Sequence, residues 1–335
     1  MTQTKKEIDV IGIGNAIVDV LANTSEDFLE RHSLVKGSMT LINEKKANLL
    51  YEQNIHSLQT SGGSAANTIS GIAQLGGKAS FIGRVKKDSL GDIFTKDICS
   101  TGATFNFPPI NKGPSTARCF IYVTPDAERT MCTFLGSSVY LEANNLDISL
   151  IKKSKILYLE GYLWDNDEAK KAFLLAAKEC KNSGGKVALS LSDFLCIERH
   201  RDSFLELVEN KIDILFSNER EIISLYQAET LAEAKDKIKG KCEIAVITLG
   251  ERGSIIITKD NEYFINAYNL GDVIDTTGAG DLYASGFLYG FISNKDLKTC
   301  GKIASICAGH IVTVFGPRTK TSLKSLIKEN IINDD

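Results

Sequence analysis

Short apolar runs recur along this chain, with longer stretches of helical periodicity between them. Residues 8–13 form a run of strand length, and a second run spans 79–82. Between them, a helix over 65–75 follows the Gly62-Gly63 turn. Further runs at 156–159, 186–191, 212–216 and 244–249 are interleaved with expected helices over 167–182, 202–210 and 219–226. Strands alternating with helices predict βαβ units and a mostly parallel sheet covered on both faces. The C-terminal part reads as helices over 279–291, 296–314 and 322–329, punctuated by Gly271 and Gly316-Pro317.

One region breaks the alternation. Residues 117–124 and 130–135 are β-rich and joined by the turn-like Pro125-Asp126-Ala127-Glu128-Arg129, and residues 38–42 read similarly. These are expected to be antiparallel strands apart from the main sheet, as a small lid or an edge extension. The sequence contains no internal repeat, low-complexity tract or long linker.

Composition narrows the function classes. Acidic residues number 42 and basic residues 39 across 335 positions, so no basic excess is present to hold a nucleic-acid backbone. Eight cysteines form no Cys-x-x-Cys pair and the four histidines are isolated, which gives zinc and iron–sulfur sites little support. Residues 1–9 are polar and lack a signal-peptide core, and no apolar run reaches about 18 residues. A cytoplasmic, reducing location without membrane attachment is the expectation.

The strongest chemical signal is Asp275-Thr276-Thr277-Gly278-Ala279-Gly280-Asp281, a small-residue loop that opens into a helix. Such a loop lets backbone N–H groups converge on an anion beside the positive end of the helix dipole. Asp281, in the first turn, can take the proton of a hydroxyl while the loop neutralises a phosphoryl group. The plain alternative is a tight turn whose Asp complements the dipole. A second signal is Ser61-Gly62-Gly63-Ser64-Ala65-Ala66-Asn67: the glycines permit close approach of a ligand, and Asn67 lies one turn into the helix.

Gly12-Ile13-Gly14 is an incomplete dinucleotide fingerprint, because Ile17 occupies the third glycine position; Asn15 and Asp19 read better as polar groups reaching a substrate. Asn218 and Glu221, three apart after a strand, either organise hydrated Mg²⁺ or form a capping pair. No P-loop is present: Gly76-Gly77-Lys78-Ala79 carries an extra glycine and lacks the Ser or Thr. Phosphates therefore fall to the Gly278–Asp281 loop.

With these motifs together, the chain resembles the ribokinase-like (PfkB) carbohydrate and nucleoside kinase family. Residues 62–91 resemble the family's first signature and residues 275–290 its second. Within the family, Gly14-Asn15 with Asp19, the 213–221 stretch and Ala308-Gly309-His310 look most like adenosine kinases. The resemblance implies a three-layer α/β fold forming one domain over 1–335. A small antiparallel β lid from about 15–23, 36–43 and 114–136 would be inserted in it.

It also implies ATP and Mg²⁺ as cosubstrate and cofactor, a small nucleoside or sugar as acceptor, and a monomer or homodimer. Asp281 would be the base, with Gly278, Ala279 and Gly280 forming the anion hole. Asn15, Asp19, Gly62, Gly63 and Asn67 would hold the acceptor, with Arg129 approaching at the lid turn. Asn218, Thr248, Gly250, Gly253, Gly278, Gly280, Cys307 and His310 would border the nucleotide, and Asn218 with Glu221 would hold Mg²⁺ through water. Adenosine to AMP is the expected reaction, and ribose or fructose phosphorylation the alternative. Two departures stand out: Ala65-Ala66 where adenosine kinases carry bulkier polar residues, and Leu163 near the position of their stacking aromatic. Tyr162, Trp164 or Phe194 would then supply the stacking, with core packing the plain alternative for these aromatics.

Overall fold

The computed structural model describes residues 5–54, 57–126 and 128–332; Ala127, in the turn between the two β-rich runs, lies outside them. In chain order the strands are β1 (Ile8–Ile13), β2 (Ile17–Asn23), β3 (Met39–Leu41), β4 (Leu58–Gly62), β5 (Ala79–Ile82), β6 (Ala117–Val123), β7 (Arg129–Phe134), β8 (Ser154–Glu160), β9 (Lys186–Ser190), β10 (Ile214–Asn218), β11 (Ile244–Thr248), β12 (Ser254–Ile257) and β13 (Glu262–Ile265). The helices are α1 (Glu26–Arg31), α2 (Glu44–Gln53), α3 (Ser64–Gln74), α4 (Ser89–Ser100), α5 (Ile148–Lys152), α6 (Asp167–Asn182), α7 (Phe194–Asn210), α8 (Glu219–Tyr226), α9 (Leu231–Ile238), α10 (Ala279–Ile292), α11 (Leu297–Ile311) and α12 (Leu323–Ile332).

The larger sheet has the order β13-β12-β11-β10-β9-β8-β1-β5. Every pairing from β11 to β5 is parallel, and β12 and β13 add an antiparallel edge. Alternation along each strand sorts side chains into two cores. Val10, Ile156 and Tyr158 meet Ile69 of α3, Phe287 of α10 and Ala304 of α11. Ile11, Leu157 and Leu159 meet Phe173 of α6, Phe204 of α7, Ile222 of α8 and Ile238 of α9. The result is the expected α/β/α arrangement.

Several elements differ from the sequence reading. Helix α7 starts at Phe194, capped by Asp193, and a non-helical His200 (φ −129°, ψ 26°) breaks its periodicity before 202. Helix α4, capped by Asp88, and the β12–β13 hairpin were not anticipated, and α11 ends at Ile311.

The smaller sheet, β3-β7-β6-β2-β4, is mixed rather than antiparallel: β2–β6 and β3–β7 run parallel, β6–β7 and β2–β4 antiparallel. It also includes β4, whose Gln-Thr-Ser-Gly sequence carries no apolar alternation. Ile17, Leu21, Cys119 and Ile121 cluster on its inner face. Val18, Val20, Phe120 and Tyr122 point outward into a core with Leu29 of α1 and Leu50 of α2. Only Gly14-Asn15-Ala16 separates β1 from β2, and only Gly63 separates β4 from α3, so two of the four crossings between the sheets begin beside the site.

Candidate active site

Helix α10 begins at Gly278, whose φ of 79° lies in the left-handed region that favours glycine, and no side chain caps it. The first intrahelical bond runs from Leu282 N–H to Gly278 O (2.8 Å), and the Ala279 N–H donates to Thr276 O (3.2 Å). The N–H groups of Gly280 and Asp281 are left at the open helix end. A Cβ on Gly280 would meet nothing within 4 Å. Of the loop residues expected to hold an anion, Ala279 thus contributes least through its N–H.

Asp281 sits in that first turn. Its Oδ1 accepts from Ser64 Oγ (2.7 Å) and its Oδ2 from Asn67 Nδ2 (2.8 Å). Ser64 and Asn67 are three apart on α3 and therefore share a face. Burial pushes the Asp281 carboxyl above the usual carboxylate range, against the opposing pull of those two hydrogen bonds and the nearby Arg318 charge.

Asp19, on β2, is buried. Burial moves its carboxyl up to about 7, and the Arg318 charge opposes the shift. A Cβ on Gly62 would lie 2.1 Å from Asp19 Oδ2, and one on Gly63 would lie 2.2 Å from Asn15 O, so both glycines are required by close packing. Asn15 is held by Glu160 at the carboxyl end of β8: Oε1 accepts from Asn15 N (2.7 Å) and Nδ2 (2.8 Å). Glu160 Oε2 accepts the Ala65 N–H at the start of α3 (2.7 Å). Burial raises the Glu160 carboxyl to about 7, although all three hydrogen bonds favour the charged form.

Arg129 begins β7 in the smaller sheet and reaches the loop before α10. Its guanidinium donates to Thr277 Oγ1 and to Thr276 Oγ1 (2.6 Å), and approaches Asp275 Oδ1 at 3.3 Å. Asp275 in turn accepts from the Thr277 N–H and hydroxyl and from the Gly316 N–H.

Asn15, Asp19, Gly63, Asn67, Arg129, Glu160, Asn218, Glu221, Thr248 and the 276–281 loop line one cavity of about 610 Å³. Ile17, Met39, Leu41, Ile121, Met131 and Leu135 give it an apolar stretch. Asn218 and Glu221 form a full capping box at α8, with Asn218 N and Nδ2 both donating to the carboxylate. Burial lifts the Glu221 carboxyl to about 7. Each Glu221 oxygen keeps lone-pair capacity beyond the single bond it accepts, and the pair faces the cavity, so the residues fit an outer-sphere site for hydrated Mg²⁺. Among the described residues no group of three or more His, Cys, Asp or Glu is placed to hold an ion directly.

Other expected nucleotide contacts lie outside the cavity wall. Gly250 and Gly253 are positive-φ turn residues between β11 and β12. Cys307 is wholly buried in an apolar cluster with Leu75, Leu282 and Leu323, which corrects its assignment to a ligand surface. The His310 ring is engaged with Thr319 Oγ1 at 2.7 Å. Of the candidate aromatics, Tyr162 lines the cavity. Trp164 instead turns into the core between Phe173 and Phe204, with Nε1 donating to Ser203, and Phe194 lies under the Arg220 guanidinium. Leu163 is also core, so it faces no substrate.

Sequence reasoning missed Glu160, Ser64 and Arg318. Glu160 ends a parallel strand, where ligand crevices form, and that rule would have found it. Arg318 follows Gly316-Pro317 in a loop and belongs to no motif; only the folded chain brings it to Asn67.

Known proteins share this framework. The probable sugar kinase from Rhizobium etli CFN 42 is 42% identical, with a TM-score of 0.91 over 97% of this chain and 98% of its own. The adenosine kinase from Sinorhizobium meliloti is also 42% identical, with a TM-score of 0.90 over 96% of this chain and 99% of its own. In sequence, the probable chloroplastic fructokinase-6 of Arabidopsis thaliana is 28% identical over 289 residues, 81% of this chain and 74% of that protein. Residues 38–324 match the pfkB family carbohydrate kinase. A site with an uncapped glycine-started helix, a carboxylate in its first turn and a match of that extent make this chain a member of the pfkB family, a phosphotransferase acting on a hydroxyl group.

Proposed function

We propose that the protein transfers the γ-phosphoryl group of ATP to a primary hydroxyl of a nucleoside, with adenosine converted to AMP. The observation that carries this reading is Asp281: a carboxylate fixed by Ser64 and Asn67 beside two free helix N–H groups, on a cavity that also has an apolar wall. Asp281 accepts the proton of the acceptor hydroxyl as the oxygen attacks phosphorus. The Gly280 and Asp281 N–H groups, with Gly278 shaping the turn, stabilise the charge on the transferring oxygens. Mg²⁺, held through water by Asn218 and Glu221, would neutralise phosphate charge when bound.

Asp19, Asn15 and Gly63 form the polar corner for ribose hydroxyls. Asn15 Oδ1 is buried without a protein partner, as an acceptor waiting for a hydroxyl would be. Met39, Met131 and Ile17 offer the base an apolar cover, and stacking on an aromatic ring such as Tyr162 is worth about 1–3 kcal/mol. The smaller sheet acts as a lid: Arg129 clasps the loop before α10 when it closes and helps exclude water. Thr248, Gly250, Gly253 and His310 would border the adenosine part of ATP at the outer rim.

A sugar acceptor is the second reading, and the sequence relationship to a fructokinase supports it. A coupled ADP-release assay over nucleosides and free sugars separates the two. Adenosine should exceed ribose and fructose in kcat/KM by at least about tenfold on the stacking scale. Faster turnover of ribose or fructose at equal concentration would remove the nucleoside assignment and leave the kinase.

A further inference from the structure

The segment Gly316-Pro317-Arg318, between α11 and α12, lies against both halves of the site. The Gly316 N–H donates to Asp275 Oδ2 (2.9 Å), and Pro317 sits 3.1 Å from where a Cβ on Gly278 would be. Arg318 then turns inward. Its Nη1 donates to Asn67 Oδ1 (2.6 Å), and its Nη2 donates to Ser61 O (2.6 Å) and Ser61 Oγ (2.9 Å). Ser61 N and Oγ both donate to Asp97 Oδ2, which lies 3.7 Å from Arg318 Nε. The Arg318 side chain is 13% exposed.

A guanidinium has donors only and does not deprotonate. It therefore dictates the orientation of the Asn67 amide: the oxygen must face Arg318, and the Nδ2 group must face Asp281. A flipped amide would set donor against donor at one end and oxygen against carboxylate at the other. Nδ2 donation favours the ionised, proton-accepting form of Asp281. The same charge opposes the effect of burial on both Asp19 and Asp281. The other titratable groups acting on this corner are the Glu160 carboxyl and the Tyr158 and Tyr162 hydroxyls, with Asp275 and Asp97 behind Asp19. The Arg129 guanidinium lies against Asp275 at 3.3 Å, on the loop side, and Arg318 is the cation that acts on Asp19 and Asp281.

We propose that Arg318 is a positioning residue: it fixes the Asn67 amide so that Asn67 donates to Asp281, and it supplies the counter-charge for the carboxylates around the acceptor hydroxyl. The proposal rests on the reading of Asp281 as the base. It assigns a role in the transfer step to a residue outside both signature stretches.

The test is the pH profile of kcat/KM for ATP-dependent turnover of adenosine, with ribose in parallel, in wild type, Arg318→Gln, Arg318→Lys and Asp281→Asn. Arg318→Gln removes the charge, so the acid limb should move up by about one pH unit, the lower end of the effect of an adjacent opposite charge. Arg318→Lys keeps the charge but not the fork. Its acid limb should stay near wild type while kcat falls about ten- to a hundredfold through a misplaced Asn67. An unmoved acid limb in folded Arg318→Gln overturns the proposal, as does failure of both Arg318 variants to fold, which would make the residue structural. Asp281→Asn separates the two ideas. If it remains active, the base assignment falls; if it is inactive while Arg318→Gln keeps the wild-type profile, only the role of Arg318 falls.

Discussion

Two helices start at this cavity with almost the same local recipe and opposite outcomes. Both α3 and α10 begin at a positive-φ glycine, Gly63 and Gly278, and neither has a side-chain cap from its own N-cap residue. Small residues follow in each, with a polar residue three or four positions on. At α3 the start is closed: Glu160, arriving from β8, takes the Ala65 N–H. At α10 the arriving side chains, Ser64 and Asn67, engage the Asp281 carboxylate and leave the helix end open. An uncapped helix start is an anion site only if no resident carboxylate fills it. One start thus holds a resident acid, and the function proposed above assigns the other to a substrate's phosphoryl group.

The largest effect should come from the open end. Asp281→Asn should fold normally and lower kcat by about 10²–10⁴, the usual loss for a general base. A variant keeping more than about a third of wild-type kcat, with transfer limiting in both, would place the base elsewhere. Wild-type activity should also have an acid limb above the ordinary carboxylate range, because burial raises the Asp281 carboxyl. The base works ionised, so activity is present above that pKa and lost as pH falls through it; a limb at the ordinary carboxylate value would contradict the assignment.

The closed end should respond in stability first. Glu160→Gln replaces one acceptor oxygen with an amide that must face a donor, either at Asn15 or at Ala65. The expected cost is about 1–3 kcal/mol, read by thermal or denaturant unfolding. Unchanged stability would mean that the α3 start does not need its resident acid.

A third start, at α8, sharpens the contrast with the smallest effect. Asn218 and Glu221 cap it reciprocally, and Glu221 still faces the cavity. Glu221→Gln should raise the Mg²⁺ concentration for half-maximal rate by about tenfold, the lower end for residues acting on a metal through its outer sphere, and change acceptor KM less. An unmoved Mg²⁺ titration would leave the pair a cap alone.

Much of this was legible in the chain. The apolar runs and helical stretches determined a largely parallel α/β sheet, because side-chain period and strand length are local properties. The glycines and aspartate of residues 275–281 determined a turn into a helix with a carboxylate in its first turn, because the left-handed backbone at Gly278 favours glycine. The smaller sheet was half visible: its apolar strands were recognised, but β4 was not, since Gln59, Thr60 and Ser61 carry no alternating pattern and join the sheet by pairing with β2. The family resemblance, rather than the local pattern, put Cys307 at the nucleotide and Trp164 among the stacking side chains; both pack in the core, because a motif position does not say which face of its element meets the core. The partners of the charges were decided by tertiary structure alone. Glu160 reaches Asn15 across 145 positions, Asn67 reaches Asp281 across 214 and Arg318 reaches Asn67 across 251. Separations of that size leave no trace in local sequence, and burial, which moves these carboxyls away from their ordinary range, exists only once the chain has folded.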